Sequence, residues 1–318
     1  MISSLHTTGN ESSEDSSGIE LDPRSLLIFR HMGHSGSVTA TAQALGWTQP
    51  AVSRHIRKIE SLIGVQLIER AGRGMVLTSA GQSLLTHADT VHSALDSANR
   101  AMTDLVRLST GSVRVAAFPS ATASFLGPAI KSLTEAYPGI DIHIEELEPP
   151  EAIRKLELGQ VDVAVVFEYR EQPEFPSRFR VLKLVSDEMV AVLSEGHHFA
   201  ERATVALGDL RNERWIAGCA RCREFLVQRA AADGFVPRVH HVTDDYVAVQ
   251  ALVAEGIAVA MLPRMALRVY MHPRVRAVPF GDNLTRGVFA VRRATTVGIP
   301  AVTAFEKHLA EAASLPRE

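Results

Sequence analysis

The chain has little cysteine and no long apolar run. Its 318 residues contain two cysteines, too few for a disulfide-bonded scaffold, which favours a reducing compartment. Nowhere do about 18 or more apolar residues follow one another, so the sequence predicts no membrane-spanning helix and no membrane partner. We therefore expect a cytoplasmic protein.

The first 20 residues lack both lysine and arginine. They contain six serines and four acidic residues. A secretion signal needs a basic start followed by an apolar stretch, and neither is present. We therefore predict that residues 1–20 form a disordered tail.

Motifs of the common enzyme classes are also missing. The chain has no G-x-x-x-x-G-K-[ST] phosphate loop, no G-x-G-x-x-G after a first strand and no H-E-x-x-H. The segment Gly33-His-Ser-Gly-Ser37 has serine where a hydrolase elbow has its last glycine. We predict that the protein is not an enzyme and holds no cofactor or metal, with catalysis kept as a remote alternative.

What the chain does have is a basic segment on an acidic body. Residues 21–81 carry seven basic and three acidic side chains, whereas the whole chain has a net charge of −3. Such a distribution is typical of a protein in which one module meets nucleic-acid phosphates. An accidental cluster of solvated charges is the alternative.

Within this basic segment, residues 37–62 predict two short helices joined at Gly46. The second helix presents Val52, Ile56, Ile59 and Ile63 to a core at helical spacing. Its other face is polar and basic. A helix offering hydroxyls and arginines from its first turns suits the DNA major groove.

A small β-wing follows the second helix. Two short apolar stretches flank a glycine-rich turn, with Arg70 and Arg73 near its tip. Arginine at such a tip is well placed to contact a backbone phosphate. The predicted DNA-binding residues are Thr48, Gln49, Pro50, Ser53, Arg54, Arg57, Arg70 and Arg73.

The run from Leu26 to Gly81 resembles the winged helix-turn-helix of LysR-type transcriptional regulators. The matching motifs are Thr48-Gln-Pro-Ala-Val-Ser53 at the start of the recognition helix and Leu77-Thr-x-Ala-Gly81 after the wing. Ile68 departs from the phenylalanine that is usual in the family. The resemblance covers about residues 24–314 and is looser in the second half.

The segment after the wing carries a heptad pattern. Its apolar positions are Leu84, Ala88, Val91, Leu95, Ala98, Met102 and Leu105. Seven positions in unbroken heptad spacing favour a partner helix over packing on the same domain, so we predict a coiled coil in a homodimer. In LysR-type regulators, the family that this chain resembles, the corresponding linker helix forms the dimer coiled coil. Pairing of two dimers into a tetramer is expected as well.

Beyond residue 112 short apolar strands alternate with helices, which predicts parallel α/β sheets. The predicted fold class is α/β: a winged helix-turn-helix (21–80), a long coiled-coil linker helix (81–110) and a two-lobed effector domain (111–318). The resemblance implies that this last domain is periplasmic-binding-protein-like. We expect lobe 1 to comprise about residues 112–186 plus 293–318, and lobe 2 residues 187–292.

Strand ends in such a fold are where ligands bind. The residues that we predict there to contact a small-molecule effector are Ser120, Thr122, Glu148, Phe167, Gly218, Arg221, Asp244 and Tyr246. Serine and threonine at such positions also act as ordinary helix caps. Members of the LysR family, which this chain resembles, commonly sense small metabolites. The resemblance therefore implies a small-molecule effector, and we expect an organic acid.

One motif suggests a second mode of regulation. Cys219-Ala-Arg-Cys222 is a C-x-x-C sequence flanked by arginines, which is compatible with a redox-sensing thiol pair. Metal sensing would need further ligands, since a structural zinc site has four. The alternative function is therefore a redox- or metal-responsive regulator that uses Cys219 and Cys222. Two half-buried structural cysteines are the simpler interpretation.

Overall fold

A computed structural model describes residues 20–71, 74–106, 111–170, 173–296 and 299–314. The predicted tail (residues 1–20, except Glu20) and Arg73 lie outside these ranges. The chain divides into two compact units after Leu95.

The first unit is a helix-turn-helix with a two-stranded wing. Its elements are α1 (Pro23–Ser35), α2 (Val38–Leu45), α3 (Gln49–Ile63), β1 (Ile68–Ala71), β2 (Gly74–Leu77) and the start of α4 (Ser79–Val106). The predicted core face of α3 is confirmed, because Val52, Ile56 and Ile59 are buried together with Phe29. This core holds α3 so that its basic face points to solvent.

Two glycines are required by this geometry. Gly46 ends α2 in the left-handed conformation, at φ 65°, which a residue with a side chain seldom adopts. Gly81 lies in the first turn of α4, where a Cβ atom would come 2.1 Å from the carbonyl oxygen of Leu67. The glycine therefore allows α4 to pack directly on the backbone that precedes the wing.

The second unit has one nine-stranded mixed sheet with helices around it. In chain order its elements are β3 (Gly111–Ala117), α5 (Pro119–Ala121), a π-helical turn (Thr122–Leu126), α6 (Gly127–Ala136), β4 (Ile140–Glu146), α7 (Pro149–Glu157), β5 (Val163–Glu168), β6 (Phe179–Ser194), β7 (Arg214–Ala217), α8 (Ala220–Ala232), β8 (Arg238–Val242), α9 (Tyr246–Ala254), β9 (Val259–Pro263), α10 (Arg264–Val269), β10 (Val275–Pro279), β11 (Thr285–Arg293) and α11 (Pro300–Ser314).

Two long strands join the two lobes of this unit. The strand order is β4-β3-β5-β11-β6-β9-β7-β8, with β10 also paired to β6. The first half of β6 pairs with β11, and its second half pairs with β9 and β10. The predicted two-lobed α/β architecture is therefore confirmed, and both lobes share β6.

The predicted lobe boundary needs correction. Residue 293 was expected to begin the return to lobe 1, but β11 already pairs with β5 from Gly287 to Val291. Val288 and Ala290 belong to the apolar core of lobe 1. The chain therefore returns about one strand earlier than predicted. Among the described residues, no helix is long and apolar enough to cross a bilayer.

Candidate functional site

The first turns of α3 present a polar and basic surface. Gln49, Pro50, Arg54 and Arg57 are exposed, and Ser53 is half-buried beside them. Together these five residues line a shallow surface recess of about 450 Å³. Thr48 occupies the predicted cap position before α3, but its side chain makes no capping hydrogen bond. Its hydroxyl is therefore not committed to the helix.

Hydrogen bonds fix α3 on its neighbours. Gln49 Nε2 donates to Thr39 Oγ1 of α2 over 2.9 Å. On the opposite side, His55 Nδ1 lies 2.8 Å from Ser25 Oγ, which donates to Asp22 Oδ2 over 2.6 Å. The hydrogen bonds from Ser25 and the Arg24 backbone hold the pKa of Asp22 below its usual range. These contacts set the orientation of the first turn of α3.

The wing is anchored to the same helix. Glu60 Oε1 accepts hydrogen bonds from the backbone N–H groups of Leu67, at 2.9 Å, and Ile68, at 3.4 Å. Arg70 is exposed on β1. The tip that would carry Arg73 lies outside the described residues. Of the two predicted wing arginines, the structure thus describes Arg70, at an exposed position of the wing.

The heptad positions of α4 fall into two groups. Ala88 is completely buried and Leu84 packs against the core of the first unit. These two are corrected: their own protomer covers them, because α4 lies against α1, with Arg30 Nε 2.7 Å from Asp89 Oδ1. Later positions have open surface: Val91 is half-buried, Ala98 is exposed, Leu95 is 46% exposed and Met102 is 58% exposed. The side chain of Leu105 lies outside the described set.

The second unit contains a fully buried arginine. Arg286 on β11 is 1% exposed. Its guanidinium donates to Asp187 Oδ2 over 3.0 Å and to Ser120 Oγ over 2.7 Å. It also lies over the rings of Phe118, at 5.0 Å, and Phe167, at 4.6 Å. Strand β6, strand β11 and the start of α5 meet at this one side chain.

Burial affects the pKa values of the groups around Arg286. Burial raises the pKa of Asp187, an effect that the adjacent guanidinium opposes. Burial also raises the pKa of Tyr246 to about 12, and its hydroxyl is hydrogen-bonded to Ser120. Ser120 itself has no exposed surface. Ser120 thus accepts a hydrogen bond from Arg286, and its role as an effector contact stays a prediction.

Two further predicted residues, Thr122 and Gly218, make close contacts inside the effector domain. Thr122 Oγ1 donates to the Phe118 carbonyl over 3.3 Å, and its role as an effector contact stays a prediction. Gly218 allows a close approach, because a Cβ there would lie 3.2 Å from Asp244 Oδ1. Asp244 is itself exposed at the edge of this region.

The two cysteines lie at the start of α8. Cys219 is the residue before the helix, and its Sγ accepts the backbone N–H of Cys222 at 3.4 Å. The two sulfurs are 2.9 Å apart as free thiols. Glu148 faces Cys219, and burial raises the pKa of this carboxyl. Glu148 Oε2 is buried without a hydrogen-bond partner.

Arg221 lies between the two cysteines and reaches across to lobe 1. Its Nη2 is 2.7 Å from Glu168 Oε2 and 3.4 Å from the Phe167 carbonyl oxygen. Next to this ion pair, Tyr169 stacks on Phe225 of α8, with ring centroids 3.9 Å apart. A cavity of about 350 Å³ opens beside these contacts. Charged and amide side chains dominate its lining: Glu168, Arg170, Glu174, Arg221, Glu224 and Gln228.

Two family models match this architecture. Residues 23–82 match the bacterial regulatory helix-turn-helix of the LysR family, and residues 107–314 match the LysR substrate-binding domain. The chain belongs to the LysR family of transcriptional regulators. This LysR protein is therefore a DNA-binding regulator with an effector-binding domain rather than an enzyme.

Named relatives agree with the assignment. The chain is 28% identical over 281 residues to the probable regulator LrrA of Synechococcus elongatus, covering 88% of this chain and 93% of that protein. It is 28% identical over 250 residues to the transcriptional dual regulator GltC of Bacillus subtilis, covering 76% and 81%. The structure of full-length CbnR with its target DNA superposes with a TM-score of 0.67 at 20% identity, covering 92% and 99%.

Sequence reasoning about this LysR regulator missed the centre of the effector domain. Arg286 and Asp187 were not predicted, because β11 was not recognised as a strand. A signal was present: Arg286 precedes Val288 and Ala290 at strand spacing, and all three are buried. The predicted residues Ser120, Phe167 and Tyr246 do come together, and Arg286 is the group that joins them.

Proposed function

We propose that this LysR regulator acts in the cytoplasm as a homodimer that binds dyad-symmetric DNA, with α3 of each protomer in the major groove. The observation that carries the proposal is that the first half of α3 is exposed while hydrogen bonds hold it to α1 and α2. Its polar face has the residue types that pair with base edges and phosphates. Two-fold symmetry would bring two such helices to half-sites about one DNA turn apart.

Contacts to DNA divide by residue type. Thr48, Gln49, Pro50, Ser53 and Arg54 would face bases or nearby phosphates in the major groove. Arg57, Arg70 and Arg73 would mainly neutralise phosphate. Gln49 is restrained by Thr39, which leaves the oxygen of its amide free to accept from a base.

Dimerisation would use the outer part of α4. Leu95, Ala98 and Met102 recur at heptad spacing and are exposed, which is unfavourable for apolar side chains unless a partner covers them. Two dimers would then pair into a tetramer. Leu84 and Ala88 are left out of this interface, because they are already packed.

The effector would be an organic acid bound in the cavity beside Arg221. A carboxylate there could replace Glu168 as the partner of Arg221, and Arg170 and Gln228 offer further donors. Exchange of one carboxylate for another would release the link between Arg221 and lobe 1. Ligand binding would in this way alter the contact between the lobes.

Selection of bound DNA from a random library by the purified full-length protein tests the first part. Enrichment of a dyad sequence is the expected result, and recovery of unrelated sequences would rule the model out. For the effector, thermal shifts with a panel of carboxylic acids and their amides should show stabilisation by an acid only. Arg221→Gln should abolish that shift, whereas Arg223→Gln, an exposed neighbour on α8, should keep it.

A further inference from the structure

Cys219 and Cys222 are the only cysteines in the chain, and both are only partly buried. Their sulfurs lie 2.9 Å apart across the first turn of α8. A disulfide between them needs little more than a side-chain rotation, because C-x-x-C at a helix start is a spacing that can close. Any thiol chemistry of this protein therefore belongs to one pair.

The surroundings favour a thiolate on this pair. The hydrogen bond from the Cys219 thiol, together with the charge of Arg286, lowers the pKa of Cys222 to about 7 despite its burial. The hydrogen bond to Cys222 and burial raise the pKa of Cys219, so this thiol keeps the shared proton. The pair thus has a nucleophile and a protonated neighbour.

A cavity lies close to these cysteines. Tyr169, whose hydroxyl is buried without a hydrogen-bond partner, lies next to Cys222 and also lines the 350 Å³ cavity. Arg221, between the two cysteines, lines the same cavity. Because Cys219 and Cys222 both keep some exposed surface, a molecule as small as a hydroperoxide can approach the pair from solvent.

We infer that Cys219 and Cys222 form a reactive dithiol, which hydroperoxides oxidise to an intramolecular disulfide and which thereby controls DNA binding. The chemical step stands on the thiol geometry alone. Its effect on DNA rests on the proposed function.

The reaction has two balanced steps. The Cys222 thiolate attacks the terminal oxygen of the hydroperoxide; an S–O bond forms, the O–O bond breaks, and an alcohol or water leaves with a proton. Cys222 is oxidised to the sulfenic acid and the peroxide is reduced. The Cys219 sulfur then attacks the Cys222 sulfur; the S–S bond forms, the S–O bond breaks, and hydroxide leaves as water with the Cys219 proton.

Closure of the disulfide acts on the contact between the lobes. It changes the first turn of α8, which carries both cysteines and Arg221, the partner of Glu168 in lobe 1. It also changes the Cys219 side chain, which faces Glu148 of lobe 1. The ion pair between Arg221 and lobe 1 thus depends on the oxidation state of one helical turn.

The test is mass spectrometry of the full-length protein after stoichiometric hydrogen peroxide. The native chain should lose two hydrogens, regain them with dithiothreitol, and react about tenfold faster at pH 7 than the same chain unfolded in urea. Cys219→Ser should accumulate a dimedone-trapped sulfenic acid on Cys222. Cys222→Ser should react no faster than the unfolded chain.

A native chain that keeps both thiols, or reacts only at the unfolded rate, would overturn the inference. If disulfide formation is observed while the DNase footprint stays the same, the regulatory part is wrong and the dithiol chemistry stands. If the reduced protein leaves no footprint on any selected DNA, the proposed DNA function fails instead. The double variant Cys219→Ser/Cys222→Ser should give one footprint with and without peroxide.

Discussion

Arg286 donates to Ser120 across 2.7 Å, although the two residues are 166 positions apart in the chain. Neither has appreciable exposed surface. The bond joins β11 to α5, and the same guanidinium is held by Asp187 of β6. Since burying a charge is costly without such partners, these three side chains must be considered together.

Arg286→Met should strongly destabilise the effector domain. It leaves Asp187 buried without its cation, which costs about 3–5 kcal/mol. Urea unfolding of the full-length protein, followed by circular dichroism, measures this. Asp187→Asn in the Arg286→Met background should recover part of the loss, because it removes the uncompensated charge. Strictly additive effects of the two changes would show that the pair is not coupled.

Arg54→Ala and Arg70→Ala should affect DNA binding differently. Arg54 lies on the groove-facing surface of α3, so its loss should remove about 1–3 kcal/mol of discrimination at one base pair. Arg70 lies on the wing, and its loss should weaken binding to all sequences and reduce the salt slope by about one. Competition binding over a salt series distinguishes the two. Lys131→Ala, an exposed lysine of the effector domain, serves as the control.

Equal loss on specific and random DNA for Arg54→Ala would refute base reading by that arginine. Wild-type binding by both arginine variants would refute the docking of α3 and the wing altogether.

Leu95→Asp and Ala88→Asp should separate association from folding. Leu95 is half-exposed, so a charge there should yield folded monomers by breaking the heptad contact with the partner. Ala88 is fully buried, so a charge there should unfold the DNA-binding unit in any oligomeric state. Sedimentation and circular dichroism report the two effects. Thr90→Asp, an exposed position on the same helix, should change neither. Intact dimers of Leu95→Asp would disprove the coiled coil.

Glu148→Gln should flatten the pH dependence of stability. Burial raises the pKa of Glu148, so the folded chain holds a proton that the unfolded chain releases above its ordinary pKa of 4.5. Stability from this group is present below that pH and is lost as pH rises through the higher folded value. At pH 8 the variant should therefore be more stable than the wild type and melt at a higher temperature.

Melting curves from pH 4 to 8 provide the measurement for Glu148→Gln. The groups that face the carboxyl are Cys219, Asp244, Arg286 and Arg221. Glu201→Gln, at an exposed glutamate, should leave the curve unchanged. An unchanged slope in Glu148→Gln would show that the carboxyl is not the responsible group.

Local patterns in the sequence predicted the features of the fold that depend on residues close together in the chain. Apolar residues spaced three or four apart predicted the core face of α3. The glycine at position 46 predicted the turn, and short apolar runs predicted the alternation of strands and helices. The network of Arg286 depends on strand pairing across about a hundred residues, and no local pattern encodes that pairing. An arginine also resembles a surface residue until its partners are known.

The same limit applies to the heptad. Spacing predicted that a partner helix covers one face of α4, but Ala88 is covered by its own protomer, whereas Leu95 is 46% exposed. Periodicity identifies a buried stripe without identifying what buries it.

The contact of Gly81 with the Leu67 carbonyl bears on the construction of chimaeric regulators. The helix that begins at Ser79 belongs to the DNA-binding unit as far as Leu95, held there by Gly81, Ala88 and the ion pair of Asp89. A fusion joint at residue 80, where helix-turn-helix motifs end in the sequence, would expose that packing surface. A joint after Leu95 keeps the module whole, so operator specificity could be transplanted with it.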